Sequence, residues 1–575
     1  MAYDIIIRGG TIVDGSGLPG YRADLGIRDG MIATIGDLKG EAARETIDAE
    51  GHVVAPGFID AHTHMDAQIF WDPLGNNSCW HGVTSVIMGN CGFSLAPCAE
   101  KDKLMTIHNL ERAEDISPEA MQAGIQWSWE NYPEYLDTVD RLPKGINYSG
   151  YVGHSALRTY VMGKRGTTEA ASDDDVKAMQ KELETSLRAG ALGFSTSVTS
   201  THRTPDGNPV ASRFAEWSEI EALVGTMARL GAGVFEIARE PAYARTEKSA
   251  EEGERVKKLA IDTKVPITFG NPWYSRRSSD RDSWRAQIAL CDEITAAGGK
   301  VLIQGSAGWH GSMRSFQTLL PFDKAPGWIE FRQQPLAEQR RQLQDPTVRQ
   351  TLIDAANNFK HKPNPAFPNA LNRTVQWDWF FPLEDSVLPP FKSVGEIARE
   401  QNKDPVAVMI ELSLAHDLKL FFVDPSNNED HDVVLAMIRH PNCAVTFTDA
   451  GAHVSTTLNP VHTFTLGYWV RDTQALPIEQ AVRKITFDLA AFWGLRGRGL
   501  LREGYHADVC IFDLAKVNPH VPKLIHDLPT GAPRLLQKAD GIMATIVNGE
   551  VLLRNGEHTG ALPGRVLRGP LAARN

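Results

Sequence analysis

With 575 residues, 42% of them hydrophobic and 23% charged, the chain has the composition of a globular protein with one large domain and a smaller one, or three modest ones. Its 59 basic against 71 acidic residues give a net charge of −12, which argues against nucleic acid and anionic membranes as partners, since both reward a basic footprint. No apolar run reaches the ~18 residues of a membrane span, and six scattered cysteines without a CxxC pair point to a reducing, cytoplasmic setting rather than a disulfide framework.

The first residues, Met1 to Gly17, read as a strand and a turn, not as a signal peptide. Short alternating segments at Tyr3–Arg8, Thr11–Val13, Ala23–Arg28 and Met31–Gly36 predict a small β-module. The same texture returns at Ala507–Asp513, Ile542–Asn548 and Glu550–Arg554. Residues 1–52 and 500–560 are therefore expected to pair into one β-sandwich.

Between them, apolar strands alternate with helical stretches. Eight candidate strands follow in order: Val53–His62, Thr84–Asn90, Ile146–Gly153, Ala191–Ser197, Gly233–Ala238, Val265–Asn271, Lys300–Ser306 and Cys443–Asp449. Helical stretches at Asp173–Ala189, Glu216–Leu230 and Ser283–Ala297 lie between several of them. Eight strands close a barrel, so residues 53–306 with 440–499 are expected to form an α/β domain, a (β/α)8 TIM-like barrel. Residues 307–439 break the rhythm. They hold Trp328, Trp377, Trp379, a helix at Val394–Glu400 and a strand at Lys419–Val423, and read as an inserted lid near the active site.

In such a barrel the chemistry sits at the C-terminal strand ends. Strand one ends in Asp60-Ala61-His62-Thr63-His64. Side chains alternate along a strand, so His62 and His64 aim at one side, an arrangement suited to a divalent metal. Strand two runs into Gly89-Asn90-Cys91-Gly92; Cys91 is a candidate thiolate ligand, the competing reading being a buried, inert cysteine. Strand three leads to His154 and Arg158, candidate substrate contacts, with a structural histidine as the alternative. Strand four has no lysine, which removes a carbamylated-lysine bridge at that point. Strand five offers Glu236, a further candidate ligand or a partner for Arg239 or Arg245. Strand six offers no histidine. Strand eight ends at Asp449, a candidate ligand and proton shuttle, the alternative being a helix N-cap. His453 follows as a candidate substrate contact from the loop.

Segments along the whole chain resemble the N-acyl-D-amino-acid deacylase (D-aminoacylase) branch of the amidohydrolase superfamily. They include Gly57 to His64, His81 to Thr84, Gly89 to Gly92, Gly153 to Arg158, Gly190 to Thr196, Ala507 to Val509, Val547 to Gly549 and Pro563 to Arg568. The resemblance implies a barrel with a β-sandwich from both termini, an insertion near the active site, zinc, and hydrolysis of an N-acyl amide. It implies that His62, His64 and Asp449 hold one metal and that Cys91 replaces the usual bridging lysine. The family carries second-metal histidines on strands five and six, where this chain has Glu236 and Thr268-Phe269-Gly270-Asn271. One tightly bound Zn2+ is therefore expected.

The expected activity is hydrolysis of an amide in an N-acyl amino acid or similar small molecule, by metal-bound hydroxide with Asp449 moving the proton. Two alternatives stand beside it. One is a hydrolase of a lactone, a cyclic amide or another C–N bond. The other is a catalytically silent barrel serving as a binding or assembly module. The sequence is also compatible with a homo-oligomer.

Overall fold

Apolar and small residues build eight short strands that are buried on both faces, the pattern of a parallel sheet covered by helices. In a computed structural model these are β1 (Phe58–Asp60), β2 (Val83–Met88), β3 (Asn147–Gly153), β4 (Gly193–Ser197), β5 (Val234–Ala238), β6 (Ile267–Gly270), β7 (Val301–Gly305) and β8 (Cys443–Val445). The structure describes residues 2–111, 116–240, 247–270, 273–276, 278, 280–360, 375–451 and 460–572. The eight strands pair in chain order, all parallel, in one curled sheet.

The two edges meet beyond their ends. After a one-residue break each edge strand resumes, β1 as His62–Thr63 and β8 as Phe447–Ala450, and these short pieces pair in parallel. Thr446 Oγ1 accepts the Ala61 N–H at 2.6 Å, and the His64 N–H donates to Ala450 O at 2.7 Å. The TIM-like barrel thus closes through the segments that carry His62, His64 and Asp449. Across the strands, Ile59, Ile87, Tyr151, Leu192, Val234, Leu302 and Ala444 form one buried layer with Leu489 and Trp493 of the helix Phe487–Trp493.

The helices follow their local signals. Asp173–Ala189 starts at a capping box between Ser172 and Asp175 and stops at Gly190, whose φ of 120° disfavours a side chain. Trp217–Leu230 and Ser283–Ala296 lie within a residue of their predicted bounds. No helix among the described residues is long and apolar enough to cross a membrane.

One predicted strand needs correction. Val53–Pro56 belongs not to the barrel but to a nine-stranded sheet, pairing in parallel with Tyr3–Ile12 and antiparallel with Val509–Phe512. The chain crosses between sheets at Gly57, where a Cβ would fall 2.3 Å from Thr84. Both pieces are buried, so the apolar run hides the crossing. This second sheet draws its strands from both termini.

A buried polar network joins it to the barrel. Arg498 pairs with Asp508 and donates to Asn548 Oδ1 at 2.7 Å, and Asn548 Nδ2 donates to Asn147 Oδ1 on β3 at 2.8 Å. Arg498→Met leaves the Asp508 charge buried without its partner, and is expected to lower the unfolding free energy by about 3–5 kcal/mol. Urea unfolding measures this; a loss below about 1 kcal/mol would show that the network does not hold the two sheets together.

Beyond β7 the chain leaves the barrel. His310–Arg314, Phe421–Asn427 and Phe381–Leu383 form a three-stranded antiparallel sheet, packed with helices around a separate core that contains Trp328, Phe380, Met409 and Phe422. The helix His431–Arg439 returns to the barrel core through Val434, Met437 and Ile438.

Candidate metal centre

His62 and His64 stand side by side at the closure of the barrel, both buried, with ring centroids 5.3 Å apart. Gln304 on β7 fixes the first ring: His62 Nδ1 donates to Gln304 Oε1 at 2.6 Å. That leaves the Nε2 lone pair for a ligand. Burial pushes the His62 pKa down to about 4, against the pull of Asp449, so the imidazole is neutral at physiological pH and able to coordinate.

Cys91 sits in the turn Asn90–Gly92 with φ 59°, a left-handed backbone rare for a side-chain-bearing residue. Three contacts hold that turn. Glu236 Oε2 on β5 accepts the Cys91 N–H at 2.8 Å, Ser195 Oγ on β4 accepts the Gly92 N–H at 3.1 Å, and Asn90 Nδ2 donates to Thr63 O at 3.2 Å. The thiol Sγ consequently lies 3.5 Å from His62 Nε2. Asp449, inside the strand Phe447–Ala450 and also left-handed with φ 59°, places Oδ1 3.1 Å from His64 Nε2 and 3.5 Å from His62 Nε2.

These spacings fit a metal ion. Nitrogen, oxygen and sulfur ligands at roughly 2.0–2.3 Å from a tetrahedral ion lie about 3.3–3.6 Å from one another. His62, His64 and Cys91 form the candidate metal-holding cluster among the described residues, with ligand atoms all within 4.8 Å of each other. Two imidazoles, a thiol and a carboxylate oxygen suit zinc.

Other predicted residues take different contacts. Glu236 is not part of that cluster; it grips the Cys91 backbone with one oxygen, its other oxygen is buried without a hydrogen-bond partner among the described residues, and burial pushes its carboxyl up to about 8. Arg239, one of the partners considered for it, pairs with Glu252 at 2.6 Å.

His154 and Arg158 require correction as substrate contacts. Both are 0% exposed. His154 bonds Thr196 Oγ1 at 2.7 Å and Glu219 Oε1 at 2.8 Å, using both ring nitrogens. Arg158 pairs with the other Glu219 oxygen and donates to the Gly166 and Glu169 carbonyls. A buried cation and acid so paired hold the helix His154–Met162 rather than a ligand. His453 lies outside the described residues.

Two histidines absent from the sequence reading flank the centre. His202, in the loop after β4, bonds Ser197 Oγ through Nδ1 at 2.7 Å and packs 5.1 Å from Phe93, whose ring is 6.4 Å from that of His64. Burial, reinforced by His64, pushes its pKa to about 3, with Asp449 opposing. His310, the first residue of the inserted sheet, lies 6.5 Å from the Phe447 ring, which packs 4.1 Å from that of His62. Their signal was position: both follow barrel strands on the catalytic face, a few residues past the strand ends.

A family model described as "Amidohydrolase family" matches residues 45–553. The D-aminoacylase of Alcaligenes xylosoxydans xylosoxydans is 29% identical over 98% of this chain and 97% of its own. The N-acyl-D-glutamate deacylase of the same organism is 28% identical, covering 98% and 96%. Among solved structures, a D-aminoacylase studied for its binuclear metal centre matches with a TM-score of 0.65 at 24% identity, over 98% of this chain and 100% of the other. The Bordetella bronchiseptica N-acyl-D-glutamate deacylase, solved with zinc and a phosphonate inhibitor, matches with a TM-score of 0.64 at 24% identity, over 99% and 100%. These structural likenesses establish the fold.

Proposed function

Because the chain belongs to the amidohydrolase family, we propose that it is a zinc-dependent hydrolase of the amide in an N-acyl amino acid or similar small molecule. The observation that carries this reading is the approach of Asp449 Oδ1 to both imidazoles, at 3.1 and 3.5 Å, beside the Cys91 thiol. His62, His64, Cys91 and Asp449 would hold the ion. When bound, such an ion polarises a carbonyl oxygen and acidifies water.

The protein's own groups do the rest. Gln304 keeps the His62 lone pair turned to the centre. Glu236 and Ser195 keep Cys91 in its strained turn. Asp449 takes a proton from the attacking water and returns it to the nitrogen of the leaving amine. The similar D-aminoacylase and N-acyl-D-glutamate deacylase support an N-acyl amino acid as the substrate class. The described cysteines are all buried and unbridged, in keeping with a cytoplasmic setting.

A substrate screen tests the reading. N-acyl-D- and N-acyl-L-amino acids are expected to be cleaved, with lactones and cyclic imides inert. Faster turnover of a lactone or imide would replace the amide with that bond, and no turnover of any of them would support a silent barrel.

One ion held tightly is the proposed stoichiometry, with Glu236 supporting the turn rather than binding metal. Glu236→Gln keeps an oxygen able to accept the Cys91 N–H, so the variant is expected to retain one equivalent of zinc by elemental analysis. Loss of an equivalent in that variant would make Glu236 a ligand.

A further inference from the structure

The loop after β4, residues 198–214, carries two arginines next to His202, whose ring packs on Phe93 near His64. Arg213, in the short turn Ala211–Phe214, donates to the carbonyls of Ser200 at 3.5 Å and His202 at 3.1 Å. Arg203 donates to the carbonyls of Ser200 at 3.2 Å and Gly207 at 2.8 Å. Among the described residues neither guanidinium makes a salt bridge, although both are half-buried. Glu240 is near enough for Arg213 to feel its charge, but its oxygens take the Ser200 N–H at 2.6 Å and the Ser200 hydroxyl at 3.0 Å.

Backbone carbonyls satisfy hydrogen-bond geometry but do not neutralise charge. Two like charges so placed repel and are partly stripped of water. Burial and Arg203 both hold the Arg213 guanidinium below its usual range. An incoming anion relieves both penalties, and a guanidinium fork matches a carboxylate. The arginines that follow β3 and β5 are committed: Arg158 to Glu219, and Arg239 to Glu252 and Gln287. The loop reaches the centre through His202, whose carbonyl holds Arg213 and whose ring packs on Phe93 next to His64.

We propose that Arg213 binds the carboxylate of the substrate, so that the site selects N-acyl amino acids over uncharged amides. The proposal rests on the amide-hydrolase reading above. Arg203 adds charge and braces the loop, and the recognised group is a carboxylate close to the scissile amide, as in an N-acyl α-amino acid.

The test compares two ligands on zinc-loaded Asp449→Asn protein, in which turnover is slowed by about 10²–10⁴-fold. The ligands are N-acetylmethionine, in both hands, and its N-methylamide, which differs in lacking the negative charge. Calorimetry is expected to show the acid binding roughly 10- to 100-fold tighter than the amide, the range of a charge-assisted hydrogen bond. Adding Arg213→Gln is expected to reduce that ratio to within a few-fold while amide affinity holds, and Arg213→Lys to keep part of it. An unchanged ratio in Arg213→Gln overturns the proposal. Equal weakening of both ligands also overturns it, because that marks a loop brace. So does an acid that binds no tighter than the amide, or not at all, with Arg213 in place. If the ratio behaves as expected while the wild-type protein cleaves no N-acyl amino acid, carboxylate recognition stands and the hydrolase reading falls.

Discussion

Asp449→Asn is expected to lower kcat by about 10²–10⁴-fold, the usual contribution of a general acid–base group, while fold and bound zinc are kept. The structure separates these effects. Asp449 adopts φ 59°, a conformation that asparagine tolerates well, so the backbone at the closure has no reason to move. The amide oxygen of Asn can still face His62 and His64, now 3.5 and 3.1 Å from the carboxylate. What it cannot do is accept and return a proton near neutral pH. Kinetics with zinc content measured on the same sample checks this. A variant within a few-fold of wild type would remove Asp449 from the chemistry, and a variant that lost its zinc would make it chiefly a ligand.

The second large effect is expected at the imidazoles. His64→Ala removes a buried ligand atom from a cluster of three, and His62→Ala removes another together with the partner of Gln304. Each is expected to drop turnover to background at ordinary zinc concentrations, because only one imidazole is then left beside the Cys91 thiol and the Asp449 carboxylate to hold the ion. Without the ion, water would no longer be acidified and hydroxide would be scarce at neutral pH. Circular dichroism separates site loss from unfolding. Full activity in either alanine variant would mean that the histidine pair is structural.

The sequence carried the barrel because its strands are buried on both faces and read as apolar runs between helices. It pointed to the proposed metal centre because His62, His64 and Asp449 end such runs, and the fold brings the three together. What it hid depends on partners distant along the chain. Glu219 lies 65 residues beyond His154 and 61 beyond Arg158, and only the fold shows that it takes both. Glu236 and Cys91 are 145 residues apart, and the acid holds the backbone of the cysteine, a contact without sequence pattern. The crossing at Gly57 was masked because apolar residues on either side serve two different sheets. His202 lies in a loop past its strand end, and His310 opens a strand of the inserted sheet, so the packing that brings both near the centre runs through Phe93 and Phe447, far away in sequence.

The proposed enzyme is a single-ion amide hydrolase centred on His62, His64, Cys91 and Asp449. Its most direct test is zinc titration of chelator-stripped protein, following cleavage of an N-acyl amino acid. Activity is expected to be absent at the start, to rise linearly, and to level off at one equivalent of zinc. Full activity in metal-free protein, or a plateau reached only at two equivalents, would contradict the account.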